Sequence, residues 1–215
     1  MSDTPIGEST NVSINITPED VKSSTDQIVA EAENINNKMV NVYDSINDMN
    51  QKDVWHGANY DRLIEPFITM KEQLESFFQV LLVSLPTQMQ EILSEYAKKF
   101  EVAALTVNTA TLKPLTSLSN SDHNTLIMDT AKVEAVQEDV TVAFNSTKLS
   151  METINTISSN VNWNSTTASG TWKNQVNELI SPVIESIDKI TSEWNQIMSE
   201  EVSGTITTEE TVTVK

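Results

Sequence analysis

From residue 17 to residue 51 the chain reads TPEDVKSSTDQIVAEAENINNKMVNVYDSINDMNQ. Val21, Ile28, Ile35, Val42 and Met49 recur at every seventh position, and Thr25, Ala32, Met39 and Ile46 fill the alternate step. Apolar spacing of four, three, four, three is the seam of a long helix packed on another helix. Thr17 ahead of Pro18, Glu19 and Asp20 supplies the start. It offers a side-chain oxygen to a free amide, a proline where a missing N–H costs nothing, and acids at the positive helix end. A helix from about Pro18 to Gln51 is predicted, roughly 50 Å long at the usual rise per residue.

The seam breaks at Asp53-Val54-Trp55-His56-Gly57 and a second one follows: Leu63, Phe67, Met70, Leu74, Phe77 and Leu81, then Met89, Ile92, Tyr96 and Phe100 beyond Pro86. Pro86 should kink this helix, because it removes one backbone donor and crowds the preceding turn. Only a short turn separates the two helices, so they fold back as an antiparallel hairpin. Phe77, Phe78, Val80, Leu81, Leu82, Val83 and Leu85 form the most apolar patch. Burial on several sides of the helix is the leading reading. The competing one makes Phe77, Phe78, Leu81 and Leu82 a partner-binding or membrane-contacting surface.

Residues 103–125 are rich in Thr, Ser and Asn, contain Pro114 and lack periodicity, which reads as a linker with an ordered start at most. The seven-residue step then returns at Val133, Val140, Thr147, Ile154 and Val161, with Phe144 and Met151 on the alternate step. After a polar break over 162–170, a fourth helix carries Trp172, Val176, Leu179, Val183, Ile187, Ile190, Trp194 and Ile197. Leu63-Ile64-Glu65-Pro66-Phe67-Ile68 matches Leu179-Ile180-Ser181-Pro182-Val183-Ile184 at a constant offset of 116. This reads as an internal duplication. Coincidence between two amphipathic helices is the competing reading, disfavoured because proline is unusual inside a helix. The division is therefore a flexible N-terminus over 1–15, a first hairpin over 16–102, a linker over 103–125, a second hairpin over 126–202 and a flexible tail over 203–215.

The expected fold is all-α: two antiparallel hairpins closing a four-helix bundle within one chain, a monomer with an internal pseudo-dimer and room for further homo-oligomers. Composition agrees. Hydrophobic residues make up 38% of the 215, enough for a core, whereas 4 Gly and 6 Pro are few for a turn-rich β fold. A formal charge of −18 repels phosphate backbones and anionic membranes, so no nucleic-acid partner is expected. The absence of cysteine removes disulfides, thiolate nucleophiles and Cys-ligated zinc. The polar, acidic start reads as lacking a cleavable signal, and the longest apolar stretch is about half a bilayer span, so neither a leader nor stable membrane insertion is expected and a soluble protein is.

No enzyme is expected either. There is no G-x-S-x-G elbow or Gly-rich phosphate loop, and acid pairs such as Glu31 and Glu33 fit a solvated helix face. His56 and His123 stand 67 positions apart without a carboxylate pattern, so a solvent-exposed turn histidine is expected rather than a ligand; no metal or cofactor is assigned.

Trp55-His56-Gly57 combines a ring large enough to cover the open end of a hairpin with a residue free to take positive φ. With long helices on either side and an acidic composition, the arrangement resembles the WXG-motif superfamily, the Esx-like helical hairpins of type VII secretion in Gram-positive bacteria and mycobacteria. The resemblance runs from Ile14 through Trp55-His56-Gly57 to about residue 102, and more weakly over 126–202. There, Trp172-Lys173-Asn174 is the best equivalent, with Asn174 in place of glycine, and Trp163-Asn164-Ser165 competes.

The resemblance implies a non-enzymatic secreted substrate or component acting through protein–protein recognition. The recognition turns would be Trp55 with Gly57 and Trp172 with Asn174, and the partner a secretion-system ATPase or a larger co-secreted protein. It implies synthesis in the cytoplasm without a cleavable signal, then secretion or association with the cell surface. It also implies an export signal of Tyr, three residues, then an acid. Tyr96 is well placed, but Phe100 holds the fourth position and the acid is Glu101, a degenerate match. Two readings from other classes compete: an intracellular helical adaptor or chaperone for a larger toxin, and a pore-forming helical toxin.

Overall fold

The computed structural model describes residues 17–121, 126–160 and 166–202, with backbone alone at 166–171, 201 and 202. Expectations that fall on 1–15, His123, Val161, Trp163-Asn164-Ser165 and 203–215 lie outside these residues.

The first helix, α1 (Pro18–Gln51), begins where the cap predicts: Thr17 Oγ1 accepts the Asp20 N–H at 3.2 Å, and Pro18 opens the first turn. It ends at Lys52 in a Schellman motif, with Val54 N–H donating to Met49 O at 2.9 Å and Asp53 in the left-handed region at φ 52°. A two-residue strand, β1 (Trp55–His56), leads into α2 (Ala58–Phe78), a π-helical stretch (Gln79–Ser84) and α3 (Leu85–Phe100). After the intervening segment come β2 (Ile127–Met128), α4 (Thr130–Asn160) and α5 (Thr166–Val202). The fold is all-α, a four-helix bundle made by one chain; its two short strands pair antiparallel, Trp55 opposite Met128 and His56 opposite Ile127.

The helices of one hairpin pack chiefly on those of the other: α1 lies against α4 and α2 against α5. Both pairs are antiparallel. Lys38 Nζ reaches Ser146 Oγ at mid-length of α1 and α4, and Ser186 Oγ donates to Gln73 Oε1 at 2.8 Å between α5 and α2. Lys148 on α4 pairs with Asp188 on α5, and Gln137 with Asn195 at 2.9 Å, so the second hairpin closes as the first does. Pro66 in α2 and Pro182 in α5 hold matching places, each inside a helix.

Every seam position of α1 is buried, and so are Leu63, Phe67, Met70, Leu74, Phe77 and Leu81. On α4 the core takes Val133, Val140, Phe144, Thr147, Met151 and Ile154; on α5 it takes Val176, Val183, Ile187, Ile190, Trp194 and Ile197. Each such aliphatic side chain contributes about 1.5–3 kcal/mol relative to exposure. The two seams thus hold the bundle together without a cross-link.

Three expectations are corrected. First, Pro86 does not act alone. The helix absorbs it in the π-helical stretch just before it, where Leu85 N–H donates to Val80 O five residues back. A π turn takes up an extra residue and rotates everything downstream. The buried positions become Leu85, Met89, Leu93 and Ala97, whereas Ile92, Tyr96 and Phe100, read from the sequence as seam, emerge at 44%, 39% and 54% exposure.

Second, residues 166–170, read from composition as part of a polar break, already belong to α5. Third, the described part of the segment read as a linker, residues 103–121, is a strap laid along the bundle. Asn36 Nδ2 donates to Lys113 O at 3.0 Å while its Oδ1 accepts Lys113 N–H at 2.9 Å. Gln90 does the same to Leu105 O at 3.1 Å and Val107 N–H at 2.9 Å. Asp26 takes Asn108 N–H and Asp61 takes Ser121 N–H, both at 2.7 Å. Val107 and Leu115 of the strap are themselves buried. Side-chain amides and carboxylates here do for an extended chain what a neighbouring strand would do.

Candidate functional site

The turn between α1 and α2 is built around Gly57. Its φ of 104° and ψ of −171° lie where a Cβ is not tolerated, as the motif predicts. From there Gly57 O accepts Asp61 N–H at 3.0 Å to start α2, and Gly57 N–H donates to Ser121 Oγ at 2.9 Å. Asp61 completes the loop by holding Ser121 N–H. On the other side of the strand pair, Val54 O accepts Asp129 N–H at 2.8 Å. Asp129 then opens α4, its carboxylate receiving Lys132 N–H at 3.3 Å and sitting 2.7 Å from Lys132 Nζ. These contacts hold the Asp129 carboxyl below its ordinary range. One turn therefore fixes the start of both α2 and α4.

Trp55 is wholly buried. Tyr60 meets it edge-on at 6.0 Å, and Trp194 of α5 lies 6.1 Å away. Phe67 meets Trp194 at 6.5 Å and Phe144 at 6.0 Å, extending the aromatic cluster down the core. Burial, with Asp61 close by, pushes the Tyr60 phenol up to about 12. Tyr43 donates to Phe67 O at 2.6 Å, and burial first, Glu75 second, raise its phenol further still. His56 is buried at 1% exposure, with Asp53 3.6 Å from its Nε2. That corrects the expectation of an exposed histidine: the pairing of β1 with β2 draws His56 inward.

The only arginine, Arg62, clamps this end of the bundle. Its Nε meets Glu193 and its guanidinium meets Glu200 at 2.9 Å, joining the first turns of α2 to the last of α5. The hydrogen bond from Arg62 is the main reason the Glu200 carboxyl is held below its usual range.

The residues singled out in sequence are not brought together. Trp172 and Asn174 lie within α5 rather than in a turn, Trp172 half-buried against the core and Asn174 exposed. Ser, Thr and even Gly170 are accommodated in the opening turns of a long helix whose packing outweighs their weak propensity. Phe77, Phe78, Leu81 and Leu82 are buried, at 0%, 0%, 0% and 2% exposure, so they form core where a surface was the competing reading. Tyr96 stands near the far end of α3, roughly 55 Å along the helix from the turn at 1.5 Å per residue. Its ring stacks 4.5 Å from that of Phe100, and Glu101 follows in the left-handed region at φ 53°. Val102 N–H caps the end by donating to Ala97 O at 3.1 Å.

Sequence reasoning missed Trp194, Arg62 and Ser121 as members of the turn's surroundings. Trp194 was legible only as seam, and Arg62 carries a signal in being the sole arginine of a strongly acidic chain. Among the described residues, no group of His, Asp and Glu could hold a metal ion, and no helix is long and apolar enough to cross a membrane. No protein-family model matches the chain, and neither does any curated protein or any solved structure.

Proposed function

We propose that this chain is a tandem WXG-like protein: a non-enzymatic substrate or component of a type VII secretion system that works by protein–protein recognition. The observation that carries the reading is the turn itself. Trp55 and Gly57 join two long helices, Gly57 takes a conformation closed to other residues, and the hairpin is completed by a second one in the same chain. That is the arrangement the resemblance implies for two paired hairpins, here fused.

Burial of Trp55, His56 and Gly57 shifts the contact with a translocation ATPase or a co-secreted protein away from the ring of Trp55. The turn acts by fixing the helix ends, and the surface offered is the exposed end of α3 with Tyr96, Phe100 and Glu101. The test is the amount of this protein in culture supernatant with and without a working type VII translocation ATPase. Dependence on the ATPase, lost in Tyr96→Ala while that variant stays folded, supports the reading. Retention in both strains, with lysis controlled, overturns export and leaves an intracellular adaptor.

A further inference from the structure

The strap carries the chain from the end of α3 back to the Trp55 turn, where α4 begins, so the connection between the hairpins crosses the length of the bundle. From Ala58 to Phe100 that length is roughly 60 Å at 1.5 Å per helical residue. A relaxed chain from Glu101 to Ile127, about 26 residues, has an end-to-end distance of only about 25–31 Å. The connection is thus drawn to about twice its relaxed length. The hooks along it show the same tension. Gln90 and Asp61 lie roughly 42 Å apart along their helices. Their partners on the strap, Val107 and Ser121, are about 14 residues apart and reach at most about 46–50 Å.

The seat that holds this stretched segment belongs to the first hairpin. Asp26, Asn36 and Asp44 of α1, Lys71 and Asp61 of α2 and Gln90 of α3 bind it. Val29, Asn36 and Tyr43, seven positions apart, add a buried stripe to α1 outside its seam. At the offset of 116 that aligns Pro66 with Pro182, the second hairpin has Asn145, Glu152 and Ser159 in their place, all exposed. The seat is therefore no by-product of the repeat. Cohesion between the hairpins lies elsewhere, in α1 against α4 and α2 against α5, and those contacts are the same whichever copy supplies the second hairpin.

We infer that the strap is a latch deciding which second hairpin completes the bundle. Seated, its hydrogen bonds offset the stretch and the bundle closes within one chain. Unseated, the stretch opposes that closure, and the second hairpin passes to a second copy while that copy's own comes back. Two bundles side by side and head to tail set the end of each α3 beside the turn of the other. The connection then crosses about 20 Å, the width of two helices, instead of the bundle's length. A link whose relaxed length matches its span gives the higher effective concentration, so the unseated strap favours exchange. Exchange rests on no assumption about export.

The experiment refolds the full chain from urea by dilution to about 5 and about 300 μM, checks helical content and reads the mass by light scattering. Lys38→Cys with Ser146→Cys, placed where α1 meets α4 in a chain that has no other cysteine, reports the source of the second hairpin. A short bismaleimide joins the two positions within one chain when the hairpin is its own and between two chains when it is exchanged. The wild type is expected at 23.9 kDa at both concentrations, linked within the chain. Asn36→Ala with Gln90→Ala removes both amides that hold a backbone N–H and C=O at once. It should raise the ratio of dimer to monomer at the higher concentration at least about tenfold, with links between chains. Deleting 105–116 leaves about 14 residues, whose reach of about 46–50 Å falls short of the roughly 60 Å crossing, so only an exchanged dimer should fold. A folded monomer of the deletion variant overturns the inference. So does an Asn36, Gln90 variant as monomeric as the wild type at the higher concentration, a dimer linked only within its chains, or a wild type already dimeric at the lower one. Should the deletion variant lose its helices, the Asn36, Gln90 variant decides alone.

Discussion

The indole rings of Trp55 and Trp194 lie 6.1 Å apart, centroid to centroid, at an interplanar angle of 36°. The turn of the first hairpin is thus seated on the last helix of the second, and the two halves of the chain share one aromatic cluster. Trp55→Ala empties this contact and should cost about 3–5 kcal/mol in urea denaturation, the range for a buried aromatic. Trp55→Phe should cost much less, since it keeps a ring and removes an indole N–H that is buried without a partner. A change within about 0.5 kcal/mol for the alanine variant is what a surface tryptophan would give, and it would contradict the burial.

Gly57 at φ 104° and ψ −171° stands where any Cβ is strained. Gly57→Ala should lower stability by about 1–3 kcal/mol. Because the same turn starts α2 and, through Val54 and Asp129, α4, the loss should appear in hydrogen exchange at the first turns of both helices. Faster exchange in α2 alone would show that the strand pair does not couple them.

How far this fold can be read from sequence depends on which force holds each part. Where burial sets the structure, periodicity reports it: the seam positions from Val21 to Met49 and from Leu63 to Leu81 all lie inside. The reading fails after residue 81 because a π turn adds a residue without any signature in composition, so Ile92, Tyr96 and Phe100 change sides. It fails again over the strap, where Asn36, Gln90, Asp26 and Asp61 hold backbone groups of distant residues. Hydrogen bonds of that kind have no period. At the site, Gly57 was legible because one conformation demands one residue, whereas the partnership of Trp55 with Trp194 depends on the packing of helices far apart in sequence.

Asn36 tests the strap. Its side chain satisfies both the N–H and the C=O of Lys113, and Asn36 itself is wholly buried. Asn36→Ala leaves two backbone groups without partners and should cost about 1–3 kcal/mol. The local sign is sharper than the global one: the Lys113 amide should lose its protection, and a broad-specificity protease should cut the strap faster. A strap held by Val107 and Leu115 alone would show neither change.

Glu101 ends α3 in the left-handed region, and its N–H together with that of Val102 turns back to Ala97 O. A non-glycine residue there costs roughly 1–2 kcal/mol, so Glu101→Gly should stabilise the chain by about 1 kcal/mol. Asp53→Gly at the end of α1 should gain less. Aspartate tolerates this region better, and Asp53 also lies 3.6 Å from His56 Nε2. Equal gains at both sites would mean that neither aspartate's tolerance of this region nor its contact with His56 contributes.

The alkaline limit of stability follows from Tyr60. Its phenol is neutral in the fold until about pH 12, because burial disfavours the phenolate and Asp61 adds to this, whereas an unfolded tyrosine ionises near 10. The folded value is the raised one, so the stabilisation is complete below pH 10 and is lost as pH climbs from there through 12. Tyr60→Phe cannot ionise in either state. At neutral pH the variant should differ little, since the Tyr60 hydroxyl lies 3.5 Å from Ile46 O, a long hydrogen bond. Between pH 9 and pH 12 it should gain on the wild type by about 2 kcal/mol, because each tenfold difference in proton affinity between folded and unfolded chain is worth about 1.4 kcal/mol. Tyr43 and the lysines are common to both proteins and cancel in the comparison. Denaturant midpoints measured in pairs across this range decide the matter: a gap that stays constant from pH 8 to pH 11.5 would place Tyr60 in contact with water in the folded chain.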